Sequence, residues 1–221
     1  MTTTKTKSSR ETLRRDLLAA TLPHVAFDGW TMTAMRAGGD DLGFDLAEIR
    51  RLFPGGADEM VGLFVAEADR LMVEELERRD LPAMRIRDRI ATAVRVRLEL
   101  HAPHREAVRR ALSLQVMPQN GPGTIRGLYR TVDLMWRAAG DDATDINFYT
   151  KRMLLAGVYS STLLYWINDK SEGFADTWAF LDRRIGNVMS IQKARFRLEK
   201  VLPNPDRLVE GFFTRLRGRR A

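Results

Sequence analysis

The side chains that could carry out chemistry in this 221-residue chain are few, and their spacing does not assemble a catalytic site. His101 and His104 flank Ala-Pro near a predicted helix boundary, without carboxylates at metal-ligand spacing, so a surface or capping role is favoured over metal binding. Ser160 and Ser161 lack a positioned base, and the chain contains no nucleophile-elbow, Walker or dinucleotide-binding glycine motif. We therefore expect a binding protein and not an enzyme, with no catalytic residue, metal or cofactor.

Bulky, polarisable side chains are concentrated in residues 124–181, where few charges interrupt them. They are Met135, Trp136, Phe148, Tyr149, Met153, Tyr159, Tyr165, Trp166, Phe174, Trp178 and Phe180. Such side chains suit a pocket for a long apolar ligand. An ordinary helical core is the alternative interpretation.

The C-terminal segment combines an apolar stripe with arginines. After Pro203-Asn204-Pro205, the helical spacing predicts one face that includes Leu208, Val209, Phe212, Phe213 and Leu216, with Arg215 and Arg217 beside it. A basic amphipathic helix bounded by prolines is typical of a membrane-interface segment, and anionic lipid would attract its arginines. Docking on the chain's own core or on a second subunit is the alternative.

Residues 28–60 have the layout of a helix-turn-helix but the wrong charge for reading DNA. They contain seven acidic and three basic residues, whereas the whole chain has a net charge of +7. The excess positive charge lies in residues 183–221, which contain eleven Lys or Arg and three Asp or Glu. Because a DNA-binding surface must attract phosphates, we expect no specific nucleic acid partner.

The composition favours an all-α fold, because Leu, Ala, Arg, Met and Glu dominate and runs of Val, Ile and Thr are scarce. Apolar periodicity predicts helices over about 9–27, 31–37, 45–52, 58–79, 84–100, 103–116, 124–139, 146–168, 173–197 and 206–220. We expect Pro23 to kink or end the first helix, Gly38-Gly39 to end the second, and Asp45 to cap the third. The chain then divides into a helix-turn-helix-like part, residues 1–56, a helical binding and dimerisation part, 57–202, and a terminal amphipathic helix, 203–221.

Two segments of the chain resemble known protein families. Residues 10–75, with Gly29-Trp30-Thr31 and Leu52-Phe53-Pro54-Gly55, resemble the N-terminal domain of TetR-type regulators, except that Phe44–Glu48 replaces the usual DNA-facing residues. More specifically, residues 133–184 are similar to the ubiquinone-biosynthesis lipid-binding proteins of the COQ-nine family. The matching strings are Thr144–Arg152, Ala156–Tyr159 and Asp176–Leu181.

This resemblance implies a TetR-like fold that has lost DNA binding and binds isoprenoid lipids, including quinone intermediates, or phospholipid. The residues expected to contact the lipid are Met117, Leu128, Val132, Met135, Trp136, Leu155, Tyr159, Leu163, Trp166, Trp178 and Leu181. The implied partner is the di-iron demethoxyubiquinone hydroxylase or another quinone-pathway enzyme. It would bind a surface patch of Asp145, Asn147, Phe148, Tyr149 and Arg152, where Phe148 replaces a frequent Trp.

The resemblance also implies membrane contact through the terminal helix, and TetR-type relatives suggest a homodimer formed by the last two long helices. We expect a protein of the bacterial cytoplasm, peripheral at the inner membrane, or of the mitochondrial matrix side if the source is eukaryotic. A ligand-responsive TetR-type transcriptional regulator is the alternative function.

Overall fold

The computed structural model of the chain describes residues 2–115, 121–141 and 146–201, with side chains for 9–114, 123–141 and 149–190. Within these ranges the chain forms nine α-helices joined by turns and short 3₁₀ segments, and no strand. The predicted all-α class is thereby confirmed. The helices are α1 Thr2–Asp28, α2 Met32–Leu42, α3 Leu46–Leu52, α4 Gly56–Glu77, α5 Ile86–Glu99, α6 Arg105–Gln115, α7 Gly121–Ala138, α8 Ile146–Asn168 and α9 Ala175–Val201.

The second helix is longer than predicted, because Gly38 and Gly39 do not end it. A Cβ at Gly38 would lie 2.7 Å from the Thr21 backbone, and one at Gly39 would lie 2.5 Å from Ile49 Cδ1. These glycines therefore allow α1 and α3 to approach α2 closely. The helix ends instead at Gly43, whose left-handed φ of 72° suits a residue without a side chain.

Pro23 was predicted either to kink or to end the first helix, and it does not end it. Helix α1 continues through Pro23 to Asp28. Val25, beyond the proline, is fully buried in the core. We attribute the continuation to this packing, which offsets the hydrogen bond that the proline nitrogen cannot donate.

The start of α3 was predicted correctly. The Asp45 side chain accepts a hydrogen bond from the Glu48 nitrogen at 2.7 Å, and the Glu48 side chain accepts one from the Asp45 nitrogen at 3.3 Å. This capping box satisfies backbone donors at the helix N-terminus. The two acidic residues thus stabilise the helix that occupies the DNA-reading position of the motif.

The N-terminal helices and the remaining helices share one continuous hydrophobic cluster. Trp30, in the turn after α1, donates a hydrogen bond to the Ala107 carbonyl on α6 at 2.9 Å. Its ring also packs against Phe64 of α4, with centroids 5.3 Å apart. This core holds α4, α5, α6, α7 and α8 in fixed positions around the site described below.

The turn between α8 and α9 is fixed by Arg105 and Asp169. Arg105 donates to the Trp166 carbonyl at 2.5 Å and to the Asp169 carbonyl, capping the end of α8. The Asp169 carboxylate accepts hydrogen bonds from the Thr177 nitrogen at 2.9 Å and the Ser171 nitrogen at 2.8 Å. The long helices α8 and α9 were predicted and are found. The predicted helix over 206–220 lies outside the described residues.

Candidate functional site

A cavity of about 700 Å³ lies between α4, α6, α7 and α8, with the end of α5 at its floor. Its walls are mainly apolar. Helix α4 contributes Val61 and Phe64, α6 contributes Val108 and Ala111, and α8 contributes Leu163. Its rim includes exposed residues of α4 and α7. The size and the apolar walls are in the range of small-molecule sites.

Three of the residues expected to contact lipid line this cavity: Leu128, Tyr159 and Leu163. The others within the described residues pack elsewhere. Val132, Met135 and Trp166 are fully buried, and Leu155 and Leu181 are 3% exposed in the core. Trp136 donates to the Lys151 carbonyl at 3.1 Å, and Trp178 donates to the Gly173 carbonyl at 2.8 Å. Met117 lies outside the described residues.

The cavity floor is polar and buried, in contrast to the walls. Asp69 of α4, 2% exposed, accepts hydrogen bonds from Arg97 Nε at 3.1 Å, Thr131 Oγ1 at 2.8 Å and Arg130 Nε at 3.0 Å. Arg97, 1% exposed, also donates to the Val65 carbonyl at 3.1 Å and to His101 Nε2. Each buried charge in this cluster therefore has a partner, as burial requires.

His101 corrects the expectation of a surface or capping role, since it is 4% exposed and lines the cavity. Burial lowers its pKa well below the ordinary value, and the charges of Arg97 and His104 lower it further. The imidazole is therefore neutral, and its Nε2 accepts the hydrogen bond from Arg97. Its ring packs against Phe64 with centroids 4.9 Å apart, which places two planar rings at the floor.

Tyr159 brings a hydroxyl to the same part of the cavity. The residue is 6% exposed, and burial raises the pKa of its hydroxyl, with Arg97 and Asp69 close enough to act on it electrostatically. No hydrogen-bond partner for this hydroxyl is found within the described residues. The floor thus offers a protonated hydroxyl beside a guanidinium and a neutral imidazole.

The expected partner patch is only partly described. Tyr149 is 64% exposed, and Met153, one turn further along α8, is 76% exposed. Arg152 is 1% exposed, and it donates to Asp133 Oδ1 at 2.6 Å and to Asp141 Oδ2 at 3.4 Å. In this structure Arg152 therefore fixes α8 against α7 and is not at the surface. Asp145 lies outside the described residues, as do the side chains of Asn147 and Phe148.

Arg97 and Asp69 were missed by sequence reasoning, although the periodicity contained a signal for both. Arg97 lies three residues after Val94 on the buried face of α5, and Asp69 lies three residues before Met72 on the buried face of α4. A charged residue at a core position of an amphipathic helix indicates a buried ion pair. The described residues contain no group of three or more His, Cys, Asp or Glu that could hold a metal ion.

The fold resembles that of a solved transcriptional regulator. The TetR regulator from Nitrosomonas europaea has a TM-score of 0.66 with this chain, covering 79% of this chain and 96% of its own, at 21% sequence identity. The likeness confirms the predicted TetR-like fold. At this identity it shows the fold alone.

Sequence comparison gives the family. The family model described as COQ9 matches residues 122–192. The Xenopus laevis protein "Ubiquinone biosynthesis protein COQ9-B, mitochondrial" is 32% identical, over 92% of this chain and 70% of its own length. The COQ9 proteins of Rattus norvegicus and Homo sapiens are 36% and 35% identical over 83% of this chain, which spans 61% and 59% of their lengths. The chain belongs to the COQ9 family.

Proposed function

We propose that this chain is a lipid-binding accessory protein of ubiquinone biosynthesis. It binds isoprenoid quinone intermediates and presents them to a membrane-associated hydroxylase, and it makes and breaks no bond itself. The observation that carries the proposal is the apolar-walled cavity of about 700 Å³ in a member of the COQ9 family, whose relatives are named for ubiquinone biosynthesis.

The physical task explains why such a cavity is useful. An isoprenoid tail is insoluble in water, so a hydroxylase can receive the intermediate only if the tail leaves the bilayer along an apolar route. Val61, Phe64, Val108 and Leu163 supply apolar surface for the tail, and burial of such surface contributes roughly 25 cal/mol per Å². Phospholipid is the second ligand class with the required apolar chains.

The hydroxylase contact is proposed to lie on the exposed start of α8. Tyr149 and Met153 present an aromatic ring and a thioether to solvent on the same helical face. The Arg152 ion pairs to Asp133 and Asp141 hold this face rigidly against α7. A rigid aromatic and methionine pair is typical of the centre of a protein interface. Arg152 then supports the patch from beneath.

Membrane contact is proposed for the segment 203–221, with Leu208, Val209, Phe212, Phe213 and Leu216 entering the lipid and Arg215 and Arg217 contacting anionic head groups. No helix within the described residues is both long enough and apolar enough to cross a bilayer. Lipid contact through segment 203–221 would place the site of action at a membrane surface, the bacterial inner membrane or the matrix side of the mitochondrion.

A homodimer through α8 and α9 is also proposed. On the outer side of these helices Tyr165 is 38% exposed and stacks on Phe180 of α9, with centroids 4.6 Å apart. A preformed aromatic pair of this kind suits a subunit interface. Light scattering of the full chain measures the mass, and replacement of both aromatics by Asp is expected to convert dimer to monomer.

Gene deletion tests the proposed function directly. The deletion strain is expected to accumulate the demethoxy intermediate, and the wild-type chain is expected to restore ubiquinone. A Tyr149→Ala, Met153→Ala double variant is expected to fold and bind lipid but not to restore the hydroxylation. A matched variant at another exposed α8 position, Asn168→Ala, is expected to restore it. Normal ubiquinone in the deletion strain would refute the function.

A further inference from the structure

The polar floor of the cavity has a composition that selects for one kind of ligand head group. Arg97 uses one hydrogen of Nε, one of Nη1 and one of Nη2 for Asp69, His101 and the Val65 carbonyl. A guanidinium carries five N–H donors, so two have no partner among the residues that the structure describes. The Tyr159 hydroxyl supplies a further donor. The floor therefore offers hydrogen-bond donors in excess of acceptors.

An anionic head group fits this floor poorly. At the buried floor the charge of Arg97 is paired with the Asp69 carboxylate at 3.1 Å, and His101, as an acceptor toward Arg97, is uncharged. Arg130 shares the same carboxylate, but its side chain is 49% exposed and solvent screens its charge. A ligand anion would lose its hydration and lie close to the Asp69 carboxylate. A neutral oxygen acceptor loses less on leaving water and still gains the donated hydrogen bonds.

The floor also contains the aromatic surface that a planar ring would need. Phe64 and His101 pack with centroids 4.9 Å apart, and both residues line the cavity. Ring stacking against such a pair adds to the hydrogen bonds. The apolar walls above, from Val61 to Leu163, leave room for a tail that runs toward the rim.

We propose that the floor formed by Arg97, His101 and Tyr159 receives the carbonyl-bearing ring of a neutral lipid, and that the Tyr159 hydroxyl donates a hydrogen bond to a ring carbonyl oxygen. This inference rests on the proposed lipid-binding function and adds the head-group chemistry and its orientation. The ring lies at the buried end, and the tail points to the rim. Tyr159 is then the residue that distinguishes a quinone from a hydrocarbon of the same shape.

The test compares three probes by displacement of a fluorescent apolar dye from the full chain: a ubiquinone with two isoprene units, the hydrocarbon farnesene, and dodecanoate. Tyr159→Phe removes one oxygen and keeps the ring, so the fold is expected to persist, which the melting temperature checks. We expect this variant to bind the quinone about five- to tenfold more weakly, the value of one hydrogen bond, and to bind farnesene as wild type does. Ser161→Ala also removes one hydroxyl from α8, but outside the cavity lining, and is expected to change neither affinity.

The outcomes separate the head-group inference from the lipid function. Farnesene binding without any loss of quinone affinity in Tyr159→Phe would overturn the head-group inference and leave the lipid function standing. Equal weakening of both probes would assign Tyr159 a structural role and also overturn it. If dodecanoate bound more tightly than the quinone, the floor would prefer an anionic head group, and the inference of a neutral one would be overturned. Failure of all three probes to bind the wild-type chain would refute the lipid function itself.

Discussion

Asp69 is the single residue on which the cavity floor depends most. Its carboxylate accepts hydrogen bonds from Arg97, Arg130 and Thr131, and Arg97 has almost no contact with bulk water. Removing the carboxylate would leave a buried guanidinium without its counter-charge. A buried ion pair contributes little net stability when intact, but breaking one is costly.

Asp69→Ala is therefore expected to lower the free energy of unfolding by about 3–5 kcal/mol. Glu74→Ala, which removes the exposed partner of Arg70 on the same helix, is the control and should change it by about 0.5 kcal/mol or less. Urea denaturation followed by circular dichroism measures both. Equal effects of the two substitutions would show that the fold does not depend on the Asp69 ion pair.

Asp169 makes the free energy of unfolding depend on pH in the acidic range. Burial raises the pKa of this carboxyl, but hydrogen bonds from Ser171 and Thr177 outweigh burial and lower the pKa from 3.8 to about 2. A group with a lowered folded-state pKa stabilises the fold above its unfolded pKa, and the contribution is lost as the pH falls toward 2.

Asp169→Asn is thus expected to be less stable than wild type by about 2 kcal/mol at pH 7, with the difference shrinking between about pH 5 and pH 2. Denaturation at a series of pH values measures this difference. The exposed Asp176, also near the start of α9, is the control position, and Asp176→Asn should give a small difference. A difference for Asp169→Asn that stays constant down to pH 2 would contradict the assigned hydrogen bonds.

At the scale of the helix, Gly38 shows how a residue type can be misread from sequence. Glycine commonly follows a helix end, and the pair Gly38-Gly39 predicts such an end. The structure uses Gly38 for close contact with Thr21, a tertiary requirement that local sequence does not contain. The Asp45 capping box was predictable because both of its residues lie within one helical turn.

Gly38→Ala is expected to destabilise the fold by about 1–3 kcal/mol, because the new methyl group would overlap the α1 backbone. Gly186→Ala, in the interior of α9, should instead stabilise by about 0.5–1 kcal/mol, because its added methyl group would have no neighbouring atom within 4 Å. Melting temperatures of the two variants check the opposite signs. A neutral Gly38→Ala would refute the close packing of α1 on α2.

The cavity, too, could be predicted only in part from the sequence, because some of its walls depend on tertiary structure. Apolar richness in residues 124–181 predicts a pocket in that segment, and Leu128, Tyr159 and Leu163 do line one. The opposite walls come from α4 and α6, which only the tertiary arrangement brings to the site. Apolar residues such as Val132 and Trp166 serve the core instead, because helical periodicity does not distinguish a side chain facing a cavity from one facing a neighbouring helix.

At the scale of the whole molecule, the charge distribution favours the proposed membrane contact over DNA binding. Two of the seven acidic residues of the motif, Asp45 and Glu48, cap α3, and the net positive charge of the chain lies in residues 183–221. We expect weak duplex DNA binding without sequence preference, and we expect the anionic partner to be a membrane. A specific duplex bound with nanomolar affinity would instead support the regulator alternative.

A variant of the terminal segment is expected to lose flotation of the full chain with anionic liposomes. It combines Phe212→Ser and Phe213→Ser with charge reversal at Arg215 and Arg217. The reason is the loss of both apolar insertion and attraction to lipid head groups. Charge reversal at Arg85 and Arg87, exposed residues at the start of α5, is the control and should leave flotation intact. Flotation that persists in the terminal variant would assign membrane contact to another surface.

Whether the cavity holds lipid can be measured by counting lipid per protein in organic extracts of the purified chain. Gly127 lines the cavity, and a Cβ added there would have no neighbouring atom within 4 Å, so Gly127→Leu should fill the space; Gly186→Leu, on α9, is the matched control. We predict isoprenoid lipid or phospholipid in the wild type and in Gly186→Leu, and a loss of most of it in Gly127→Leu. A wild-type chain without lipid, or equal lipid in all three proteins, would show that the cavity is not a lipid site.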